Sequence, residues 1–382
     1  MNRILTTHVG SLPRPESLLQ LMQRQADGNR LDGGLLKREL CTSVRSIVQR
    51  QVDVGIDVVS DGEFSKPSYA TYVSERLDGF GGTFRGHIPG DLRDYREFSK
   101  QLVATGRIVP QTGGSCCIGP IHAKESGGLQ EDILNFAGAI EAARPVGSFM
   151  NAASPGVVAV FQKNQFYPTE SAYIEAIAEA LRPEYEAIVQ AGFLLQVDSP
   201  DLAMGRHIAF NELDEGDFLK ILDRNVVALN HALRNIPFDR VRVHLCWGNY
   251  EGPHHRDIPL ERIAGRVLRL NVKYLLIEGS NPRHAHEWAV FKDVRLPEDK
   301  VVVPGVIDST SNYVEHPELV AQRLMNYANV VGRERVLAGS DCGFSTFRGY
   351  PTVFPDIVWK KLESLVEGAR LASKCLWPIQ GG

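Results

Sequence analysis

The chain has 382 residues, of which 43% are hydrophobic and 23% are charged, so it can bury a large core and is not a disordered protein. Its 42 Lys and Arg residues against 46 Asp and Glu residues give a formal net charge of −4, which argues against a nucleic-acid-binding surface. Six Cys residues are too few for a disulfide scaffold in a chain of this length.

The sequence has no features of a membrane or secreted protein. We expect no membrane-spanning segment, because no run of about 18 apolar residues occurs. Residues 1–10 lack the long apolar stretch of a signal peptide. We therefore predict a cytoplasmic protein, in which a Cys side chain packs, binds a metal or reacts.

Helix-like and strand-like segments alternate along the chain. Residues 36–48 and 174–188 each carry apolar side chains at helical spacing. Each stripe is followed by a glycine and then by a short apolar run, at residues 56–63 and 193–200. A helix that ends at a glycine and precedes a strand is typical of a βα repeat.

The remaining elements continue this alternation. Further strand candidates are residues 147–151, 240–247, 274–278, 301–307 and 335–341. Further helix candidates are residues 217–233, 260–270, 316–331 and 364–376. Strands separated by helices indicate a parallel sheet that is buried on both faces. About eight such units predict a (β/α)8 TIM barrel with an N-terminal extension, and we interpret residues 1–382 as one catalytic domain.

Residues 78–110 interrupt the alternation. This stretch is rich in Gly, Arg and Asp. It predicts an insertion between barrel units. Either it is a surface excursion, or it is a lid over the substrate, since long loops in compact domains often cover active sites.

Chemically reactive side chains occur where several predicted strands end. His244 and Cys246 lie two residues apart on one strand, so their side chains point to the same side. Glu278 follows about one βα unit later, and Cys342 about two units after that. The carboxyl ends of barrel strands face one mouth, where active sites form. Two thiolates, an imidazole and a carboxylate suit Zn²⁺ better than Mg²⁺ or Ca²⁺, so we predict a zinc site.

This ligand set indicates thiol chemistry. Hydrolytic zinc sites favour His and carboxylate ligands with a bound water, so two Cys ligands argue against a hydrolase. Zinc also deprotonates a coordinated thiol, which makes the sulfur nucleophilic at neutral pH. The expected reaction is transfer of an alkyl or methyl group to the sulfur of a small thiol. His254, in the loop after the zinc strand, is a candidate acid for the leaving group, and Trp247 and Tyr250 are candidate walls of the substrate pocket.

Seven segments resemble the catalytic barrel of the cobalamin-independent methionine synthase family, in the family's order. They are THVGSLPRP (7–15), DVVSDGE (57–63), LQVDSPDLA (195–203), VHLCWGNYEGPH (243–254), LLIEGSN (275–281), GVIDSTSNYVEHP (305–317) and LAGSDCGFST (337–346). The resemblance implies that the zinc ligands are His244, Cys246, Glu278 and Cys342. It further implies that Ser11, Glu63 and Asp198 bind the amino-acid part of homocysteine, with Asp198 acting at the reacting centre.

The sequence departs from the family at two motifs. The family's DEPA is DSPD at residues 198–201, and residues 308–311 read DSTS, without the His that relays a proton in the synthases. The chain length also leaves no room for the second, folate-binding barrel of full-length synthases. In these features the sequence is similar to the single-barrel branch that includes epoxyalkane:coenzyme M transferases.

Several functions therefore stay open at this point. The thiol is homocysteine or a coenzyme M-like compound, and the second substrate is an alkyl donor. One alternative is a stand-alone methionine synthase that uses a methylfolate or methyl-corrinoid donor. A metal-free decarboxylase of the uroporphyrinogen decarboxylase type and a non-enzymatic zinc or thiol-binding protein are further alternatives. We expect no nucleic-acid or membrane partner, and an oligomer is possible.

Overall fold

A parallel α/β sheet forms the centre of the computed structural model, which describes residues 2–28, 33–106, 114–125 and 127–378. Its strands occur in the order β1, β4, β6, β7, β8, β9 and β10, and all of the pairings are parallel. These strands are Val58–Val59 (β1), Gly147–Ala153 (β4), Leu194–Asp198 (β6), Val241–Leu245 (β7), Tyr274–Ile277 (β8), Val301–Ile307 (β9) and Gly339–Ser340 (β10). The sequence predicted all seven.

The sheet is curled, so that both of its edges approach the N-terminal segment. Thr7 forms a parallel bridge with Val58 of β1, and Thr6 forms one with Ala338, just before β10. The amide of Thr7 donates to the carbonyl of Ala338 at 2.8 Å. The observed fold is thus an α/β fold with a curled parallel sheet, consistent with a TIM-like barrel. The predicted N-terminal extension begins with a segment that pairs with this sheet.

Helices connect and cover the strands. They are Glu16–Ala26 (α1), Gly33–Val54 (α2), Val73–Arg76 (α3), Gly90–Asp94 (α4), Arg96–Ala104 (α5), Gly128–Ala143 (α6), Pro155–Phe161 (α7), Glu170–Gln190 (α8), Gly205–Ile208 (α9), Glu215–Ala232 (α10), Leu260–Val267 (α11), Pro317–Val331 (α12) and Pro355–Leu376 (α13). The last helix begins nine residues before its predicted start, because Pro355 occupies its first turn, where proline is favourable. None of the helices in the described ranges is both long and apolar enough to cross a membrane.

Helix α8 shows why the helical stripes predicted the core correctly. Its N-cap Thr169 accepts a hydrogen bond from the amide of Ala172 at 3.1 Å, which fixes the first turn. Its predicted apolar face is buried: Ile177, Leu181 and Ile188 are all 0% exposed. This face packs against β4 and β6. The helix therefore covers these parallel strands and helps to fix the position of their ends.

The predicted insertion contains short elements of its own. Phe80–Gly81 (β2) pairs antiparallel with Cys116–Cys117 (β3), which pairs in parallel with Lys163–Asn164 (β5). Helices α4 and α5 follow β2 in the chain. Residues 107–110 of the predicted insertion lie outside the described residues. In the part that the structure describes, the insertion is tied to the connection after α7 by this small sheet.

Candidate metal centre

Three of the four predicted metal ligands come together at the carboxyl end of the sheet. His244 is in β7, Cys246 follows that strand directly, and Cys342 follows β10. One ligand atom from each of these residues lies within 4.8 Å of the other two, and this is the one such group in the ranges that the structure describes. All three side chains are buried, with 5%, 5% and 3% of each residue exposed. The alternation of side chains along a strand places His244 and Cys246 on the same side, as predicted.

Burial and mutual contact shift the pKa values of all three ligand residues. A hydrogen bond from the Cys342 thiol and the charge of His244 lower the pKa of Cys246 to about 5. Burial opposes a charged imidazole, but the Cys246 thiolate and Asp198 raise the pKa of His244 to about 10. Burial and the neighbouring Cys246 raise the pKa of Cys342. Two thiols and an imidazole are donors that suit zinc, and deprotonation of both thiols would leave a buried negative charge that a cation would compensate.

Glu278 lies next to this group but is not one of the three residues. Its carboxylate accepts hydrogen bonds from the amide of Trp247 at 2.8 Å and from the side chain of Asn281 at 3.2 Å. Burial and the charge of Cys246 raise the pKa of Glu278 to about 7. The assignment of Glu278 as the fourth ligand therefore stays a prediction. Its carboxylate is held by the amide of Trp247, the residue directly after Cys246.

Two buried aspartates support the ligand residues. Asp198 accepts hydrogen bonds from Asn151 and Gln196, both at 2.9 Å, and its Oδ1 lies 3.3 Å from His244 Nδ1. An acceptor on one ring nitrogen orients an imidazole so that its other nitrogen faces the metal site. Here that other nitrogen, Nε2 of His244, lies 3.5 Å from the sulfur of Cys342.

The second aspartate, Asp341, precedes Cys342 and fixes the loop after β8. Its two carboxylate oxygens accept hydrogen bonds from the amides of Gly279, Ser280 and Asn281, at 2.8, 2.9 and 2.7 Å. This loop begins directly after Glu278. Asp341 therefore connects the end of β10 with the end of β8.

A cavity of about 460 Å³ opens onto the three ligands, and its size is typical of small-molecule sites. Four further predicted site residues line it, namely Ser11, Glu63, Asp198 and Tyr250. Parts of the insertion also line it, so the cavity lies between the strand ends and the insertion.

Two of these residues are buried at the base of the cavity. Ser11 is 1% exposed, and its hydroxyl accepts a hydrogen bond from the amide of Ser345 at 3.3 Å. Glu63 is 3% exposed and has a φ of 58°, which turns the chain sharply at this position. Burial and the nearby carboxylate of Asp198 raise the pKa of Glu63 to about 8.

Trp247 and His254 lie behind the cavity wall. Trp247 is 0% exposed, its indole donates to the carbonyl of Ile258, and its ring stacks on His284 at 4.0 Å. His254 is 4% exposed, and its ring nitrogens lie 2.9 Å from Asp257 and 3.1 Å from the carbonyl of Tyr250. Neither residue is part of the described cavity lining, whereas Tyr250 is. The roles predicted for Trp247 and His254 stay predictions.

Sequence reasoning missed the supporting residues Asn151 and Gln196. Both are polar side chains inside strands that are otherwise buried and apolar, with 2% and 0% of each residue exposed. A polar residue on such a strand needs a hydrogen-bond partner, and this was the available signal. The sequence predicted Asp198 as a site residue. Its contact with Asn151 could not be predicted, because that contact depends on the register that pairs β4 with β6.

Comparisons with known proteins identify the family of the chain. The family model described as the catalytic domain of the cobalamin-independent synthase matches residues 4–92 and 156–367. A methionine synthase of Saccharolobus solfataricus is 23% identical over 369 residues, which cover 96% of this chain and 94% of that protein.

Solved structures show the same fold. A B12-independent methionine synthase from Shewanella sp. W3-18-1, in complex with selenomethionine, has a TM-score of 0.74 and 20% identity, covering 98% of this chain and 99% of that one. A putative vitamin-B12-independent methionine synthase from Listeria monocytogenes has a TM-score of 0.66 and 20% identity, covering 96% and 98%. The chain thus belongs to the family of cobalamin-independent methionine synthase catalytic domains, and it is a methionine synthase-like methyltransferase.

Proposed function

We propose that this protein uses a zinc ion to transfer a methyl or other small alkyl group to the sulfur of a small amino thiol of the homocysteine type. The observation that carries this proposal is the buried group of His244, Cys246 and Cys342, whose ligand atoms lie within 4.8 Å of one another at the base of the cavity. Methyl transfer to sulfur accounts for two thiol ligands better than hydrolysis does.

The donor set fits zinc. In a tetrahedral site with Zn–S bonds of about 2.3 Å and Zn–N bonds of about 2.0 Å, ligand atoms are roughly 3.5 Å apart. The 3.5 Å between His244 Nε2 and Cys342 Sγ agrees with that spacing. Glu278 or the substrate thiol would complete the site. A reducing cytoplasm, which the sequence predicts, would keep both Cys ligands available.

The zinc ion, when bound, supplies the positive charge that keeps the substrate sulfur as a thiolate at neutral pH. The residues of the chain then have defined tasks. Asp198 orients His244, and Asp341 fixes the loop that carries Glu278. The sulfur forms its new bond to the methyl carbon while the bond from that carbon to its donor breaks, and the donor leaves with the electron pair. The thiol proton goes to solvent.

The charges of the cavity support an amino thiol. Two acidic side chains, Glu63 and Asp198, line it, and an ammonium group bound beside Glu63 would lower the raised pKa of that residue and hold it as a carboxylate. Two nearby cations are already engaged. Arg14 donates to the backbone carbonyls of Glu63 at 2.6 Å and Lys66 at 2.8 Å, and the ammonium of Lys66 donates to the carbonyl of Asn151.

The same charges disfavour the rival functions. The acidic side chains at the base of the cavity give the sulfonate of coenzyme M no cation to bind. A metal-free decarboxylase has no use for two buried thiols and an imidazole grouped together. The Shewanella structure, by its description, holds selenomethionine, an amino acid of the kind that methyl transfer to homocysteine would produce.

We also propose that the chain forms a closed (β/α)8 barrel as one catalytic domain. The pairing of Thr6 with Ala338 and of Thr7 with Val58 supports an eighth strand position between β10 and β1. The predicted insertion would then follow β1, the second strand of the barrel.

Thiol binding tests the proposed function. The zinc-loaded protein is mixed with L-homocysteine, or with coenzyme M as the control thiol, and proton release is measured in weak buffer at pH 7. We expect about one proton per chain with homocysteine and at least tenfold weaker binding of coenzyme M. No proton release with either thiol would refute thiol activation, and tighter binding of coenzyme M would refute the amino thiol.

A further inference from the structure

The outer half of the cavity is apolar and belongs largely to the insertion. Phe84, Ile88, Leu92 and Val103 line it there. Of these side chains, Ile88 and Val103 are 39% and 40% exposed.

The polar members of this wall carry little charge into the cavity. Burial lowers the pKa of His87, which therefore is neutral at pH 7. Arg85 is the one charged side chain among the described lining residues of this wall, and it is exposed. The carboxylates of Glu63 and Asp198 lie instead with the metal ligands at the base. The cavity thus has a charged inner half and an apolar outer half.

Part of the apolar wall lies outside the residues that the family model matches. The family model matches residues 4–92 and 156–367, so Val103 and the other lining residues Ser99 and Gly114 come from a segment that the family pattern does not include. The base of the cavity, in contrast, is made of family residues.

A buried carboxylate attaches the insertion to the loop after the metal strand. Asp91, in α4, is 0% exposed. It accepts hydrogen bonds from the hydroxyl of Tyr250 at 2.8 Å and from the amide of His254 at 3.0 Å. Tyr250 lines the cavity four residues after Cys246, so Asp91 links the insertion with the chain segment that holds the metal.

The ring of Tyr250 has a fixed place. A Cβ atom added at Gly248 or Gly252 would lie 2.6 or 2.2 Å from a ring carbon of Tyr250, so only glycine fits on either side. The side chains of Leu92 and Leu102 in the insertion pack in one cluster with Tyr250. The wall of the outer half is therefore a single packed unit, made by two segments that are far apart in sequence.

We propose that the insertion and the loop after β7 form a donor compartment that binds the hydrocarbon part of an uncharged alkyl donor above the metal centre, and that Asp91 positions its wall. This inference rests on the proposed function and adds the class of the second substrate. The donor would approach the thiolate from the apolar side. Its alkyl carbon gains the bond to sulfur as it loses its leaving group, which departs with the electron pair.

A series of simple electrophiles tests the compartment. Ethyl, propyl and butyl iodide are used with homocysteine and the zinc-loaded enzyme, S-alkylhomocysteine is measured, and rates are divided by those of free homocysteine. Each step adds one methylene group at nearly constant intrinsic reactivity, and the iodide ion leaves in every case. We expect KM to fall about threefold to fourfold with each methylene that the wall contacts. A KM that stays constant along the series would overturn the proposal.

The variants Tyr250→Phe and Asp91→Asn test the positioning role. We expect each to raise KM for propyl iodide about tenfold and to weaken the selection among the iodides, because the wall loses a buried charged hydrogen bond. Zinc content and the affinity for homocysteine should stay unchanged. Asp94→Asn is the matched control, since Asp94 also joins α4 to this loop, through Arg256 at 2.6 Å, but at a partly exposed site.

These outcomes separate the two proposals. If the variants lower kcat and thiol affinity as much as they raise the donor KM, Asp91 is merely structural and the positioning role is refuted. If the wild-type enzyme binds homocysteine and zinc but shows no selection among the iodides, the donor compartment fails while the proposed function stands. If it binds no thiol, the proposed function itself fails.

Discussion

The environments of the cysteines differ enough to separate metal ligands from the rest. Cys246 and Cys342 are buried beside His244, whereas Cys375 near the end of α13 is exposed. All six Cys residues are free thiols. Residue type alone could not separate the two predicted ligands from the other cysteines. Their positions at strand ends could, because the strands of a parallel sheet have their carboxyl ends on the same side.

Cys342→Ser should remove the metal. A serine hydroxyl does not ionise at neutral pH, so we expect zinc affinity to fall by more than about 100-fold, beyond the loss typical of supporting residues. Competition with a chromophoric chelator measures the affinity. Cys375→Ser is the control and should retain wild-type affinity. A Cys342→Ser protein with unchanged zinc affinity would rule out this ligand.

Glu63→Gln tests the ammonium site. Losing the carboxylate should raise KM for homocysteine about tenfold, because a hydrogen bond to a charged group is lost, while kcat changes less. A thiol without an ammonium group, 2-mercaptoethanol, should be used by the variant as well as by the wild-type enzyme. Equal losses with both thiols would show that Glu63 does not bind the ammonium group.

At the scale of elements, the sequence predicted the long, regular parts well. The stripe of α8 and the strand around His244 were correct because their periodicity is strong over many residues. The two-residue strands of the insertion have no such pattern. Likewise, no local signal connects Asp91 with Tyr250, since their contact depends on how the insertion folds back over the sheet.

Asp341→Asn should loosen the loop after β8. The asparagine oxygen can still accept from two of the three loop amides, but its amide group faces the third as a second donor. We expect zinc affinity to fall about 10-fold and the free energy of unfolding by about 1–3 kcal/mol. Urea unfolding and chelator competition measure the two effects. If neither changes, the loop does not depend on this carboxylate.

For the whole molecule, the sequence indicated a parallel barrel-like fold and the site at its mouth, and the fold is observed as a curled parallel sheet. It could not show how the ends of the sheet meet. The two ends meet through single bridges at Thr6 and Thr7. In the sequence these two threonines carry no pattern that marks them as a strand. Nor could it show the division of the cavity into a charged and an apolar half, which comes from distant segments.

Global stability should depend on pH through two buried histidines. Burial opposes their charge, but Asp257 raises the pKa of His254 to about 9, and Asp257 with Glu287 raises that of His284 to about 10. Raised values stabilise the folded state fully below the unfolded pKa near 6.5, and this contribution is lost as pH rises through 9 to 10.

Urea unfolding between pH 7 and pH 10 should therefore show a loss on the order of 2 kcal/mol, and His284→Gln should make the loss smaller. The exposed His316→Gln is the control and should keep the wild-type slope. A His284→Gln protein with the same pH dependence as the wild type would contradict this assignment.

X-ray absorption at the zinc edge tests the central claim most directly. We predict one zinc ion per chain with two sulfur ligands at about 2.3 Å and nitrogen or oxygen ligands at about 2.0 Å, and a third sulfur ligand after homocysteine is added. A protein that binds no zinc when zinc is supplied in excess would contradict the account. A number of sulfur ligands to zinc that stays the same after homocysteine is added would also contradict it.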